Sequence, residues 1–368
     1  IQHCMVSHFL SGHSRRNAPR YSAFLQICAL LFVASFLRTI GNDTSYHVDD
    51  WTVINNAKDL LEHTHWDPGF YVHPNHASIY LNYFAYEGLL WSGAYSRETL
   101  PYRQVSNTIA ALLGTLTVLV TYLMGKRVFG QGVGLLAATL LCFNPLHIQH
   151  SHYAIADIPM AFFCTVSMYA LIAYVKNKHP LFFLALASGM AAVAVVTKYS
   201  AVVCTVLIGI TIFIRRIRRD SPWQLVKEIL VSASSFFTVS IVVAPYVFIN
   251  YRSVLVGLQE AGRLYHLGAD GLGFLGNLWF YIEICFQNIP IVFAPFLLLG
   301  FFICIRKYAS VSIPICHGLF LWIAVSYLPL HWSRWAVPMQ STIVLLVAIG
   351  IMRMVQWSRK RSKQSAIV

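Results

Sequence analysis

Apolar positions along the chain gather into runs of about 16 to 22 residues, each near the roughly 17 to 25 helical residues that cross a hydrocarbon core. These runs fall at about 21–38, 105–124, 132–148, 158–175, 181–197, 199–214, 229–249, 284–305, 312–330 and 337–355. The pattern predicts an all-α polytopic bundle of about ten spans. Two intervening segments are long, at about 39–104 and 250–283. In the first, Trp51, Ile54, Ala57 and Leu61 recur at spacings of three or four, which predicts an amphipathic interfacial helix from Trp51 to His63. Pro68-Gly69 and His73-Pro74 read as turns, and the aromatics Trp66, Phe70, Tyr71, Tyr80, Tyr83, Phe84 and Tyr86 as a headgroup-level belt. The second long segment carries Gly257, Gly262, Gly268, Gly271, Gly273 and Gly276, a density that reads as a mobile, lid-like loop.

Composition agrees with a membrane protein: 57% of the 368 residues are hydrophobic and 11% charged, against roughly 25% charged in soluble domains. The net charge of +13 raises nucleic acid as a partner, but the placement of the charges excludes it. With the N-terminus cytoplasmic, nineteen Lys and Arg fall inside, in short loops such as Lys126–Gln131, Lys176–Pro180 and Arg215–Asp220, and eight fall outside. That is the positive-inside bias, with both termini inside. Acids divide the other way: Asp220 and Glu228 inside, twelve outside, eight of them in segment 39–104. The topological rule says little about acids, so their excess points to carboxylate chemistry or metal binding on the outer face.

Eight scattered cysteines show no metal-ligand spacing, and Cys28, Cys142, Cys164, Cys204 and Cys304, which lie in apolar runs, read as buried thiols. Residues 1–20, with His3, His8, His13 and a basic cluster, are too polar for a signal-peptide core and read as a cytoplasmic tail before an uncleaved anchor. Residues 356–368 read as a basic cytoplasmic tail, and 21–355 as one membrane domain without an appended soluble domain.

Four places combine polar chemistry with the outer boundary. Asp49-Asp50 can cap the following helix, or supply a general base and a ligand for a divalent cation such as Mg, Mn or Zn. Asp157, before Ile158-Pro159, is a helix-start signal whose carboxylate can also face a site. Lys198 can snorkel to headgroups or meet a lipid phosphate. Arg334, between Trp332 and Trp335, and Arg263, in Glu260-Ala-Gly-Arg263, offer further outer cations or interfacial anchors.

Taken in order, His47-Val-Asp-Asp50, Tyr122-Leu-Met-Gly-Lys-Arg-Val-Phe-Gly130, Asp157-Ile-Pro-Met-Ala-Phe-Phe163, Lys198, Glu260-x-x-Arg263 and Arg334-Trp-Ala-Val-Pro338 resemble a known set. They are similar to the polyprenyl-phosphate-sugar-dependent glycosyltransferases of the GT-C superfamily, the group of the dolichyl-phosphate-mannose protein mannosyltransferases and the lipid A aminoarabinose transferase. The resemblance covers about residues 20–350. It implies a multi-pass hexosyl- or pentosyltransferase taking a sugar from an undecaprenyl or dolichyl monophosphate to a lipid, glycan or protein acceptor, by displacement with inversion. Asp49 or Asp50 would then be the base or its metal partner, and Asp157 the second acid. Lys198, Arg263 and Arg334 would hold the donor phosphate. Where the family carries a lysine before proline in the first loop, this chain has His73-Pro74, which makes His73 the candidate at that phosphate contact. The implied setting is the extracytoplasmic face of a bacterial plasma membrane. The sequon Asn42-Asp43-Thr44 keeps the endoplasmic reticulum of a eukaryote in view.

Two other classes fit the span pattern: a transporter, and a lipid-linked glycan polymerase or ligase using a diphosphate donor. Internal repeats and midplane charges would mark a transporter, and neither stands out here.

Overall fold

The computed structural model describes residues 6–63, 66–177, 179–217, 222–266 and 272–365. The architecture is all-α. Among the described residues, six helical segments are long and apolar enough to cross a membrane, seven if a pair bent by 104° counts as one, and three shorter apolar helices accompany them. Each of the ten apolar runs overlaps one of these elements, but the expected ten full-length spans are not matched by length, and the runs at about 132–148, 229–249 and 312–330 extend past helix ends at Cys142, Val243 and Ser326.

In chain order the first helices are α1 (Val6–Thr39), α2 (Trp51–Glu62), α3 (His76–Trp91), α4 (Tyr102–Phe129), α5 (Gln131–Cys142) and α6 (Pro145–His150). The middle holds α7 (Asp157–Lys176), α8 (Pro180–Thr197), α9 (Val202–Ile217), α10 (Pro222–Val243), α11 (Pro245–Ile249) and α12 (Tyr251–Ala261). The last third holds α13 (Gly273–Asn288), α14 (Ala294–Lys307), α15 (Ala309–Ile315), α16 (His317–Ser326) and α17 (Gln340–Ser365). The expected tails are therefore continuous with helices: α1 begins within residues 1–20, and α17 runs on to Ser365.

The span containing α17 is the axis of the bundle, 83% buried, whereas α10 is only 11% buried and turns its apolar surface outward. Lipid offers no hydrophobic drive between helices, so close approach relies on small residues. At the crossing of α14 and α17 a Cβ on Gly300 would sit 1.9 Å from the Leu346 carbonyl oxygen, and one on Gly350 would sit 2.0 Å from that of Phe296. The sharp bend between α13 and α14 falls at Ile289-Pro290, where proline forces the preceding residue out of helix.

Buried charge is matched by local partners. Arg38, fully buried at the end of α1, donates to the Leu141 and Cys142 carbonyls (3.1 and 3.3 Å) and so closes the C-terminal end of α5. Where the C-terminal ends of α7 and α9 meet the start of α10, Glu228 accepts from Arg216 Nε and the Tyr174 hydroxyl, each at 2.7 Å. Lys178, Arg218, Arg219 and Asp220 lie outside the described residues.

The two long segments between apolar runs are more ordered than the sequence suggests. The predicted helix appears as α2, and its buried Ala57, Leu60 and Leu61 pack on Ile79, Tyr80 and Tyr86 of α3. Of the expected aromatic belt, Tyr80, Tyr83 and Tyr86 belong to this helix–helix core, whereas Trp66 and Phe84 are exposed. Within the glycine-rich second segment, α12 is a regular helix, and Gly257 serves close packing: a Cβ there would be 2.1 Å from the Tyr71 carbonyl oxygen. Gly268, Asp270 and Gly271 lie outside the described residues. Asp67 clasps the two long segments together, accepting from the Tyr71 hydroxyl (2.6 Å) and from Asn250 Nδ2 (2.5 Å).

Gly300→Val or Gly350→Val should separate α14 from α17, at a cost of about 1–3 kcal/mol or more, as overpacking of a filled core does. Thermal unfolding in detergent checks this, with Gly209→Val, where added Cβ has open space, as the control.

Candidate active site

Three polypeptide segments meet at one end of the bundle. The turn 46–50 leads into α2, the α8–α9 junction is broken at Lys198 by an extended residue (φ −155°, ψ 126°), and a 3-10 segment, Ser333–Met339, leads into α17. They are drawn together over the first turn of α7. Asn75, in the left-handed region (φ 50°), donates its backbone N–H to the Thr197 carbonyl (3.1 Å) and its side chain to Thr52 Oγ1 (3.1 Å). The Tyr199 hydroxyl donates to the Tyr71 carbonyl (3.0 Å), so residues 71–75 are pinned over Lys198.

The result is a cavity of about 650 Å³. Its polar end holds a row of alternating charge. Lys198 Nζ lies 2.6 Å from Asp157 Oδ1, Asp157 Oδ2 lies 3.9 Å from Arg334 Nε, and Arg334 Nη1 donates to Asp49 Oδ2 at 2.5 Å. Aromatic faces back both cations: Lys198 lies over Trp335 (5.7 Å) and Arg334 over Trp332 (4.9 Å). The opposite wall is apolar, made by Val202, Val203, Leu258, Ala324, Val325 and Leu328. Arg263 reaches the rim, its guanidinium donating to the Glu260 carbonyl at 3.3 Å.

Five of the residues singled out in the sequence thus line one cavity, namely Asp49, His73, Asp157, Lys198 and Arg334, with Arg263 at its edge. Asp50 does not join them. Its carboxylate turns under the loop, only 1% exposed, and accepts the His47 backbone N–H (2.9 Å). Burial pushes its pKa up. It faces a separate hollow with Lys58 and Arg103, so the adjacent acids have different surroundings. The capping expectations are corrected in the same way. Asp50 occupies the N-cap of α2 and Asp157 the first turn of α7, yet neither helix start shows a side-chain cap hydrogen bond. Each carboxylate is directed elsewhere, while Asp157 still sits favourably at a helix N-terminus.

A metal shared by Asp49 and Asp50 does not fit this geometry, because the two carboxylates diverge and Asp49 is occupied by Arg334. Among the described residues no three His, Cys, Asp or Glu side chains gather as a metal site.

His73 lines the cavity as a neutral ring. Burial first, and then the nearby Lys198 cation, push its pKa down to about 4. It adds no positive charge where a lysine would. Sequence reasoning passed over His47, although it opens a quoted motif, and His150, seven residues before Asp157. His150 lines the same cavity, is 5% exposed, and is likewise held at about 4 by burial. Histidines beside acids at the outer boundary were the available signal. Lys198 is pushed below its ordinary value by burial, with Asp157 acting against that shift.

Residues 73–256 match the family described as dolichyl-phosphate-mannose-protein mannosyltransferase, half of the chain, and the protein belongs to that family. Its fold is that of GT-C glycosyltransferase structures. ArnT from Cupriavidus metallidurans bound to undecaprenyl phosphate superposes with a TM-score of 0.64 at 12% identity, covering 95% of this chain and 63% of that one. Archaeal oligosaccharyltransferase AglB from Archaeoglobus fulgidus, in complex with an inhibitory peptide and a dolichol-phosphate, gives 0.63 at 13% identity, covering 95% and 52%. The Archaeoglobus oligosaccharyltransferase is also known in complex with Zn and sulfate. An uncharacterized protein of Aquifex aeolicus is 37% identical over 90 residues, 24% of this chain and 18% of that one. The chain therefore spans about a fifth to two thirds of the length of these relatives.

Lys198→Met leaves Asp157 charged and buried without its nearest partner, and loss of one member of such a pair costs about 3–5 kcal/mol. The double variant Lys198→Met/Asp157→Asn should recover much of that stability, as read by detergent unfolding curves. Equal losses in single and double variants would show that the pair does not hold this end of the fold.

The histidines carry a pH signature. Between pH about 4 and the ordinary 6.5, the unfolded chain protonates rings that the folded chain keeps neutral at His73 and His150. Acidification from pH 7 to 4.5 should lower the unfolding temperature, and His150→Asn should flatten that slope.

Proposed function

We propose that the protein is a membrane glycosyltransferase that moves a sugar from a polyprenyl monophosphate donor to a lipid, glycan or protein acceptor at the extracytoplasmic face. The observation that carries this reading is one cavity with two carboxylates and two cations at its polar end and an apolar wall from α9, α12 and α16 opposite. Such a cavity suits an amphiphile with an anionic head. The structural neighbours bound to undecaprenyl phosphate and dolichol-phosphate support the same donor class.

In the proposed reaction Asp49 takes the proton of the acceptor hydroxyl or amine, and the acceptor atom bonds to the anomeric carbon. The bond from that carbon to the phosphate oxygen breaks, and polyprenyl phosphate leaves. Arg334, Lys198 and Arg263 stabilise the charge that grows on the phosphate. His73 orients it as a neutral hydrogen-bonding ring, and Asp157 keeps Lys198 and Arg334 in place. Displacement from the face opposite the phosphate inverts the anomeric centre.

The topology that accompanies this reading counts the bent pair and the three shorter apolar helices as spans. That makes ten, with residues 21–355 as the catalytic domain, segments 39–104 and 250–283 outside, and residues 1–20 and 356–368 on the cytoplasmic side. The basic residues divide accordingly. Membership in a glycosyltransferase family favours transfer over transport.

The test uses radiolabelled polyprenyl-phosphate sugars and follows label into product, with diphosphate donors in parallel. Asp49→Asn should lower turnover by about 10²–10⁴, the usual contribution of a general base, whereas Asp50→Asn should stay within a few fold of wild type. Full activity in Asp49→Asn removes the assignment. Label that crosses the membrane without entering a product favours the transporter reading, and a strict preference for diphosphate donors favours the polymerase or ligase.

A further inference from the structure

His47 has no part in the chemistry above, yet both of its ring nitrogens face donors. The Asp49 backbone N–H points at Nδ1 (3.1 Å), and Arg334 Nη1 lies 3.2 Å from Nε2. A neutral imidazole has one lone-pair nitrogen and one N–H. It can accept only one of these two donors. His47 is kept neutral, since burial first and the neighbouring Arg334 cation second hold its pKa below the usual value.

The conflict resolves in one direction. The Asp49 N–H is fixed by the turn into α2, where the Asp50 N–H donates to the His47 carbonyl (3.0 Å) and the Thr52 N–H to the Asp49 carbonyl (3.1 Å). Arg334 is a long side chain with an alternative acceptor in Asp49 Oδ2. Nδ1 therefore carries the lone pair and Nε2 the hydrogen. Nε2–H then faces an N–H of Arg334 with no acceptor between them, an unfavourable contact that the ion pair to Asp49 maintains.

We infer that His47 Nε2–H and Arg334 Nη1–H form a two-donor fork for an anionic oxygen, and that His47 is a further ligand of the donor phosphate. The inference rests on the proposed donor class. A phosphate oxygen seated in the fork turns a donor–donor contact into two hydrogen bonds, one of them charge-assisted. Seating it also draws Arg334 from Asp49 Oδ2, which frees that oxygen to receive the acceptor's proton. The proton on Nε2 stays where it is, and no bond is made or broken. Donor binding thereby exposes the base, and the acceptor is activated only when the donor is in place.

The full chain in detergent can be titrated with farnesyl phosphate, and with farnesol to isolate the lipid contribution. His47→Asn keeps an acceptor oxygen near Nδ1 for the Asp49 N–H but places no donor at Nε2. His47→Gln places an amide N–H near Nε2. Farnesyl phosphate affinity should fall about tenfold or more in His47→Asn, as expected for a lost hydrogen bond to a charged group, and stay within about threefold of wild type in His47→Gln, with farnesol binding equal in all three. Wild-type affinity in His47→Asn overturns the fork. Loss confined to His47→Gln overturns it too, because that marks a structural role through Nδ1. Selective ¹⁵N-histidine labelling gives a separate readout, with the His47 signals identified by their loss in His47→Asn. An Nε2–H tautomer whose proton shifts on adding farnesyl phosphate supports the fork, and an Nδ1–H tautomer, or an unmoved Nε2–H, overturns it. If wild type binds farnesyl phosphate no better than farnesol, the donor reading falls and the fork with it. If wild type prefers the phosphate and His47→Asn keeps that preference, only the role of His47 falls.

Discussion

The cavity end of this protein is organised by the alternation Lys198, Asp157, Arg334, Asp49. Each of these charges is costly to bury alone, and each is held by an opposite charge from a different segment. Asp157 begins α7, Lys198 separates α8 from α9, Arg334 precedes α17, and Asp49 precedes α2. Four segments distant in sequence must arrive in one register for any of the four to be tolerated. A packed apolar bundle alone would accept many small rotations of these helices; the charge row accepts few. The same requirement explains the tethers around it. Asn75 and Tyr199 bind the 71–75 loop to the Lys198 junction, and Asp67 binds that loop to the start of α12.

Much of this was legible in the sequence, for reasons that can be stated. Span positions follow from bilayer thickness, which demands long apolar runs. Helix α2 was legible because one face is apolar at helical spacing. Helix α3 was not, because aromatic and small residues lie all around it and imitate an interfacial belt. Helix α12 was hidden by glycine, a residue that signals turns in sequence yet here lets α12 meet the Tyr71 backbone. The bend at Pro290 was absorbed into a single apolar run, since hydropathy carries no direction.

The site was legible as a set of residues and not as a geometry. Asp49 and Asp50 are indistinguishable by type, and their difference comes from a turn that sends one carboxylate into the cavity and the other beneath it. Lys198 and Arg334 read as isolated boundary cations because their partners are 41 and 285 residues away. His47 and His150 went unremarked because a lone histidine is ordinary, and only the fold shows what faces its nitrogens.

The alternating row also bears on how charge moves in the proposed transfer. At rest its two carboxylates and two cations sum to zero. A polyprenyl-phosphate sugar is a diester with one negative charge, and breaking its sugar–oxygen bond leaves a monoester with nearly two. Over the same step Asp49 takes a proton and loses its charge. Negative charge therefore leaves Asp49 as it appears on the phosphate, and the total inside the cavity is unchanged. Arg334 stands where it can serve both ends of that displacement, paired with Asp49 before the donor is seated and with phosphate once it is, while Asp157 prevents the guanidinium from leaving the row. A site that keeps its total charge constant needs little reorganisation of its surroundings as bonds change, and preorganised polar groups favour the transition state most in that situation. The buried row that fixes the fold at this end would then be the same device that lowers the barrier.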